Sequence, residues 1–330
     1  MNDTNFLTNN NYIYLPTKNN PKVILNVTNK VSSINSFKIY NPFSKKAQYF
    51  KNIVSFLFIH FNFIFKNFAT KNDTKSEFIN FLEEKLNSSL NTSIYIATAK
   101  DKVVIQLQDK STNQIIGYVK YPINNLGLSH IENEIKADKV FNNSILIDVF
   151  QDTPFIVLKE LKGTIGIQDD REVLNLLEEL KTNKKQKLNE HPRIIEINNY
   201  LEKNKLNDLS INFKTLIETN LMLEVVYEHG DFAPWNIIKN ENNELKLFDF
   251  EYFVEDGLEY MDLIKYHFQI ESLLNQKKGN ELINIILNKL NTENKNLIFK
   301  IYLYKEIMIK HTEKVEYENE INLLELMEKI

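Results

Sequence analysis

Cysteine is missing from all 330 residues, which excludes disulfides, thiolate metal sites and cysteine nucleophiles. Arginine occurs only at Arg171 and Arg193, while lysine, asparagine and isoleucine abound, a bias of composition that carries no functional message. No GxxxxGK[ST] run occurs, so the loop with which P-loop NTPases cradle phosphate is absent. The opening MNDTNFLTNNNYIYLP lacks the basic-then-apolar order of a secretory leader. The most membrane-like stretch, residues 53–68, is too short to cross a bilayer and is broken by His60, Asn62 and Lys66. A net charge of −4 supplies no strong field for nucleic acid. These absences predict a cytoplasmic protein with no nucleic-acid partner and no stable membrane insertion. What remains, 43% apolar and 25% charged residues, is the composition of a soluble globular chain long enough for about two lobes.

The most informative stretch is VVYEHGDFAPWNIIKNENNELKLFDFEYF, residues 225–253. An apolar run reaches His229-Gly230-Asp231, and Asn236 follows five residues after the aspartate. Ile237-Ile238, a polar Asn-rich turn and Leu245–Phe248 then read as a β-hairpin that delivers Asp249 at its exit. Two carboxylates and an amide oxygen are thus brought near one another by local structure alone. Phosphoryl transfer from ATP requires little more: a magnesium ion held by hard oxygens, and a carboxylate to orient the attacking hydroxyl and accept its proton.

HGDFAPWN followed by DFE resembles the catalytic and metal-binding signatures of the aminoglycoside phosphotransferase and choline kinase-like family. The resemblance covers roughly residues 90–265. It implies an α+β, bilobal protein-kinase-like fold, with a small antiparallel-sheet lobe, a larger helical lobe and, here, an N-terminal α/β extension. The expected division is 1–72 for the extension, 73–159 for the nucleotide-binding lobe and 160–330 for the catalytic and acceptor-binding lobe. By the match, Asp231 is the catalytic base, Asn236 and Asp249 are magnesium ligands, and His229 braces the loop. Trp235 packs within that loop, Glu251 completes the DFE, and Asp262 has a structural role, capping a helix or holding the catalytic loop. The cofactors implied are ATP and Mg2+, and the partner is a small-molecule acceptor. Gly230 and Glu251, in place of the arginine and glycine of HRD and DFG, point away from protein kinases. The motifs specify the reaction and leave the acceptor open among sugars, amino alcohols and aminoglycosides, with a sugar or envelope precursor favoured. The rival readings are a non-catalytic nucleotide-binding regulatory module and a protein kinase; oligomeric state is not legible.

Other segments are read around this centre. Residues 22–27 and 36–40 suggest strands joined by a polar linker, within an Asn-rich N-terminus whose end is expected to be mobile. Residues 45–70 suggest helix, and 75–90 an amphipathic helix capped by Asp73 or Thr74. Strands at 93–98 and 103–108, joined by a hairpin turn at 99–102, precede a third at 114–121. The family likeness makes that third strand the carrier of the phosphate-contacting lysine, Lys120, although the hairpin segment ATAKDK has no glycine. A helix at 130–141 is capped by Ser129 with Glu132 in the box position. By the likeness a glutamate of this helix pairs with Lys120, and Glu134 fits that role, because Ala137 and Phe141 follow it at the apolar offsets usual for the family. Two strands follow, at 144–150 and 155–158. The likeness then assigns adenine recognition to backbone near Glu160 and Leu161. Helices are expected at 169–182, from Pro192 and at 211–220, with a solvated basic loop at 181–187. Four more fill 261–329. Glu271, Glu313 and Glu316 are read mainly as exposed helix charges.

Overall fold

The computed structural model describes residues 6–39, 45–60, 68–96 and 101–329. Its contacts divide the chain into two compact units, residues 1–161 and 162–330.

The first unit is built on one eight-stranded antiparallel sheet. Its strands are β1 (Asn11–Leu15), β2 (Val23–Asn26), β3 (Thr70–Lys71), β4 (Leu90–Ile96), β5 (Lys102–Asp109), β6 (Ile115–Pro122), β7 (Ser144–Phe150) and β8 (Thr153–Lys159), in the order β3-β1-β2-β4-β5-β6-β8-β7. Residues ahead of position 72 therefore supply one end of the same sheet that carries Lys120. The period of two in β1 and β2 serves two cores. Tyr12 and Ile24 join Phe78, Ile79, Leu82, Ile105, Val119 and Phe155 on one face, while Ile13, Val23, Leu25 and Val27 join Phe37 on the other. Phe78 is the hub of the larger core, with ring centroids of Phe6, Tyr121, Phe150 and Phe155 at 5.1–5.6 Å.

Among the described residues, four helices complete this unit: α1 (Lys30–Ser36), α2 (Lys45–His60), α3 (Glu77–Leu86) and α4 (Asn125–Phe141). Several expectations are corrected here. Residues 36–39 are not a strand: α1 ends at Ser36 and a 3-10 turn covers Phe37–Ile39. Asn29 caps α1, accepting from Ser32 N, and the Ser33 and Ser36 hydroxyls donate to the carbonyls four residues back. These local bonds fix helix where the apolar alternation suggested strand. β1 occupies part of the Asn-rich N-terminus. Ser76, rather than Asp73 or Thr74, caps α3. α4 begins at Asn125, capped by Asn124, so Ser129 is interior and Glu132 is an exposed mid-helix charge. Gly127 allows this earlier start, because a Cβ there would lie 1.9 Å from the Asp101 carbonyl oxygen. The hairpin turn expected at 99–102 lies in part outside the described residues. Asparagine takes over much of glycine's usual work: Asn87, Asn113, Asn142, Asn183 and Asn243 all adopt positive φ, which Asn tolerates better than most residues.

The second unit is mostly helical. It contains α5 (Asp170–Glu179), α6 (Pro192–Lys203), α7 (Asn207–Ile217), α8 (Met261–Gln269), α9 (Gly279–Lys289), α10 (Lys295–Thr312) and α11 (Glu318–Met327). A π turn, Ile270–Leu274, extends α8. Their apolar faces meet in one core that includes Ile194, Ile197, Phe213, Ile264, Ile283, Phe299, Tyr302 and Ile307. Two small sheets flank it. One is β10 (Lys181–Lys187), β11 (Met222–Glu228) and β14 (Val254–Leu258); the other joins β13 (Leu245–Leu247), β12 (Ile237–Lys239) and β9 (Thr164–Ile165). β10 corrects the expected basic loop. KTNKKQK has no apolar residue to signal a strand, yet its backbone pairs along the edge of β11. No described helix is long and apolar enough to cross a membrane.

Candidate active site

β11 positions the HGD segment. Leu223 and Val225 anchor the strand in the core, and its last residue, Glu228, is fully buried against Lys305 Nζ at 2.8 Å. The chain then turns at Gly230, whose φ is +81°. A Cβ at that position would meet the Tyr252 carbonyl oxygen at 2.3 Å, so both the conformation and the close approach demand glycine. Asp262, in the first turn of α8, holds the turn from below. Its two carboxylate oxygens accept from His229 N at 2.7 Å and Gly230 N at 3.0 Å. Burial, aided by the neighbouring Glu228, pushes the Asp262 carboxyl up to about 7 against the pull of Lys305 and the two N–H donors.

Asp231 is half-buried and held on both oxygens. Asn236 Nδ2 donates to Oδ2 at 2.9 Å and to the Asp231 carbonyl at 2.8 Å, while Lys265 Nζ lies 3.5 Å from Oδ1. The Pro234–Asn236 3-10 turn folds the loop so that residues five apart meet. Trp235 lies in this turn and is half-buried. Both amide protons of Asn236 are committed to Asp231, which makes its oxygen the atom suited to an electrophile.

The hairpin is tied to this loop at its exit. His229 Nε2 lies 2.9 Å from the Phe248 carbonyl oxygen, and Phe248 N donates to the Asn236 carbonyl at 3.2 Å. Phe250 packs against the His229 ring at a tilt of 38°, with centroids 4.7 Å apart. Asp249 sits between these anchors at a φ of +70°, a strained conformation for an L residue. Carboxylate oxygens of Asp249 and Glu251 lie within 4.8 Å of one another. Tyr252 donates its hydroxyl to Glu313, so that glutamate, read as an exposed helix charge, is a partner of the segment after Glu251. The Asp249 and Glu251 carboxylates offer hard oxygens of the kind magnesium takes.

Lys265 escaped the sequence reading. It is buried, 2.9 Å from Glu306 Oε2, and next to Asp231. Burial would lower its ammonium, but Glu306 and Asp231 hold it above the ordinary lysine value. The available signal was a lysine inside an apolar helix (MDLIKYHFQ) and a Lys305-Glu306 pair inside another (LIFKIYLYKEIMIK).

In the first unit, Lys120 on β6 pairs with Glu134 on α4, and both are buried. Nearby, His130 Nδ1 lies 2.9 Å from Asp101. Asp101 is held below the usual carboxylate range: burial opposes ionisation, but the His130 hydrogen bond and Lys102 outweigh it. Glu160 and Leu161 lie just past β8, half-buried, with Glu160 Oε1 3.9 Å from Lys38 Nζ. An open cavity of about 890 Å³ in the second unit, walled by Tyr200, His311 and Tyr317, includes none of the sequence-derived site residues.

No family model matches the sequence, and no curated protein matches it. Solved structures do. A choline kinase, LicA, from Streptococcus pneumoniae is 12% identical, with a TM-score of 0.50 covering 77% of this chain and all of that one. An ethanolamine kinase from Plasmodium vivax is 13% identical, with a TM-score of 0.46 over 90% of this chain and 93% of that one. A spectinomycin phosphotransferase crystallised with ADP and spectinomycin is 11% identical, with a TM-score of 0.38 over 76% and 92%. The likeness to the choline kinase shows the fold: an α+β chain with a protein-kinase-like fold.

Proposed function

We propose that the protein is an ATP- and magnesium-dependent phosphotransferase acting on a hydroxyl of a small molecule. The observation that carries this reading is Asp231, half-exposed yet gripped through both carboxylate oxygens by Asn236 and Lys265. A base so fixed cannot swing away, and its remaining lone pairs are available to an acceptor hydroxyl. As that hydroxyl oxygen bonds to the γ-phosphorus, the bond to the β–γ bridging oxygen breaks, ADP departs and the proton passes to Asp231. Lys265 keeps the carboxylate oriented, and Asp262 fixes the backbone beneath it.

Asn236 and Asp249 are the proposed magnesium ligands, with Glu251 adjoining them. Magnesium, when bound there, would neutralise charge on the β- and γ-phosphates. Lys120, steadied by Glu134, is assigned to the nucleotide phosphates, and the backbone near Glu160 and Leu161 to adenine. The solved structures of like fold include kinases of choline and ethanolamine and a spectinomycin phosphotransferase, which supports an alcohol acceptor.

The test is ADP release with ATP and magnesium across a panel of amino alcohols, sugars and aminoglycosides. Asp231→Asn should lower turnover on the accepted substrate by about 10²–10⁴-fold while ATP binding persists. Undiminished turnover in that variant would remove the base from the mechanism. ATP binding with no turnover on any acceptor would favour the regulatory-module reading, and phosphorylation of peptides alone the protein-kinase one.

A further inference from the structure

The first 72 residues contain nine lysines and a single acid, Asp3, a net charge of +8, whereas the whole chain carries −4. The asymmetry coincides with an unusual helix. Val54 turns α2 toward the small core of Ile13, Val23, Leu25, Val27 and Phe37. Tyr49, Ile53, Phe56 and Leu57 fall within about 100° of arc on the other side. Such a stripe ordinarily faces a core, yet these four side chains are 71%, 39%, 57% and 39% exposed. Phe68, just beyond, is 74% exposed, and Val31 on the adjoining α1 is 53% exposed. An apolar surface of this extent marks an interaction site.

We propose that α2 is a peripheral membrane-binding element that lies on anionic phospholipid. Charge selects the partner. Aromatic and aliphatic side chains flanked by lysine, with no acid from Thr4 to Asn72, match a surface whose headgroups are negative and whose acyl boundary accepts Tyr, Phe, Ile and Leu. A two-fold pairing with a second copy would bring two strongly positive segments together. The helix lies flat: its 16 residues span about 24 Å, short of a hydrocarbon core about 30 Å thick. The proposal is independent of the phosphotransferase reading.

The full chain should co-sediment with vesicles of phosphatidylglycerol and phosphatidylcholine in equal parts, not with phosphatidylcholine alone, and should detach as salt is raised. Replacing Lys45 and Lys46 together by Glu should weaken partitioning by at least about tenfold, because each lysine near such a surface contributes about fivefold. Ile53→Asp combined with Leu57→Asp should do the same, with far-UV circular dichroism unchanged. The lack of cysteine permits a second reading: Tyr49→Cys carrying an environment-sensitive fluorophore should shift to the blue on anionic vesicles. No sedimentation with anionic vesicles, equal binding to neutral ones, or full binding by the Ile53→Asp/Leu57→Asp variant would each overturn the proposal. A concentration-dependent dimer lost in that variant, without lipid binding, would assign the face to a second copy instead.

Discussion

Around β1, β2 and α1 the protein buries neutral polar groups. Asn26 Oδ1 accepts from Thr28 N and Ser32 Oγ, Ser93 Oγ donates to Ser36 Oγ, and Gln108 Nε2 donates to Gln106 Oε1. Asn10 Nδ2 reaches across to Asn91, 81 residues away. Beneath the His229 loop the buried groups are ions: Lys305 with Glu228, both fully buried, and Lys265 with Glu306. The two devices fail differently. Losing one member of a neutral pair strands a dipole, while losing one member of an ionic pair strands a charge in low dielectric. Neutral networks suffice to fix the register of strands. The ionic one does more, because through Lys265 it also orients Asp231. Burial opposes ionisation of Glu228, yet Lys305 and Arg193 hold its carboxyl below the ordinary range.

The sharpest way to break this contrast is Lys305→Met, which leaves Glu228 buried without its partner. It should cost about 3–5 kcal/mol in urea unfolding, and adding Glu228→Gln should restore most of that. A recovery no larger than the error of the fit would show that the pair does not act as a unit. Next comes pH. Burial and Lys289 push the His267 imidazole down to about 4. Below the unfolded value of about 6.5 the unfolded chain takes up a proton that the folded chain refuses. Stability from this group is therefore complete above about pH 6.5 and lost as pH falls toward 4, by about 3 kcal/mol. His267→Gln should flatten that part of the stability–pH profile relative to wild type, and an unchanged slope would contradict the assignment. The smallest effect is expected in the neutral network. Ser36→Ala removes a donor to the Asn26 carbonyl and an acceptor for Ser93, and should cost about 1–2 kcal/mol. A loss as large as that from Lys305→Met would erase the distinction.

The candidate site was legible where contacts are local: Asp231 and Asn236 share one loop and meet side chain to side chain, and the exit of the hairpin after it is tied to that loop through Phe248. Glu134 was separated from Glu132 by the apolar offsets of its helix, and it is the one paired with Lys120. Lys265, Glu306, Lys305 and Glu228 were not legible as partners, because they meet only when β11, α8 and α10 pack. Local signals were also misread: SFKIY alternates like a strand, but side-chain bonds from Asn29, Ser33 and Ser36 hold its first residue at the end of a helix. KTNKKQK looked like loop because pairing through the backbone leaves no trace in side-chain type.

The sequence by itself determined the turns, caps and short motifs, since these depend on residues a few positions apart and on the conformations each side chain allows. It also determined the absence of thiol chemistry and the charge asymmetry of the first 72 residues. Only the tertiary structure decided which buried ions pair, that the N-terminal strands extend the sheet bearing Lys120, and that the apolar side of α2 faces outward. Those outcomes depend on which surfaces exclude water together, a property of packed elements that no single segment carries.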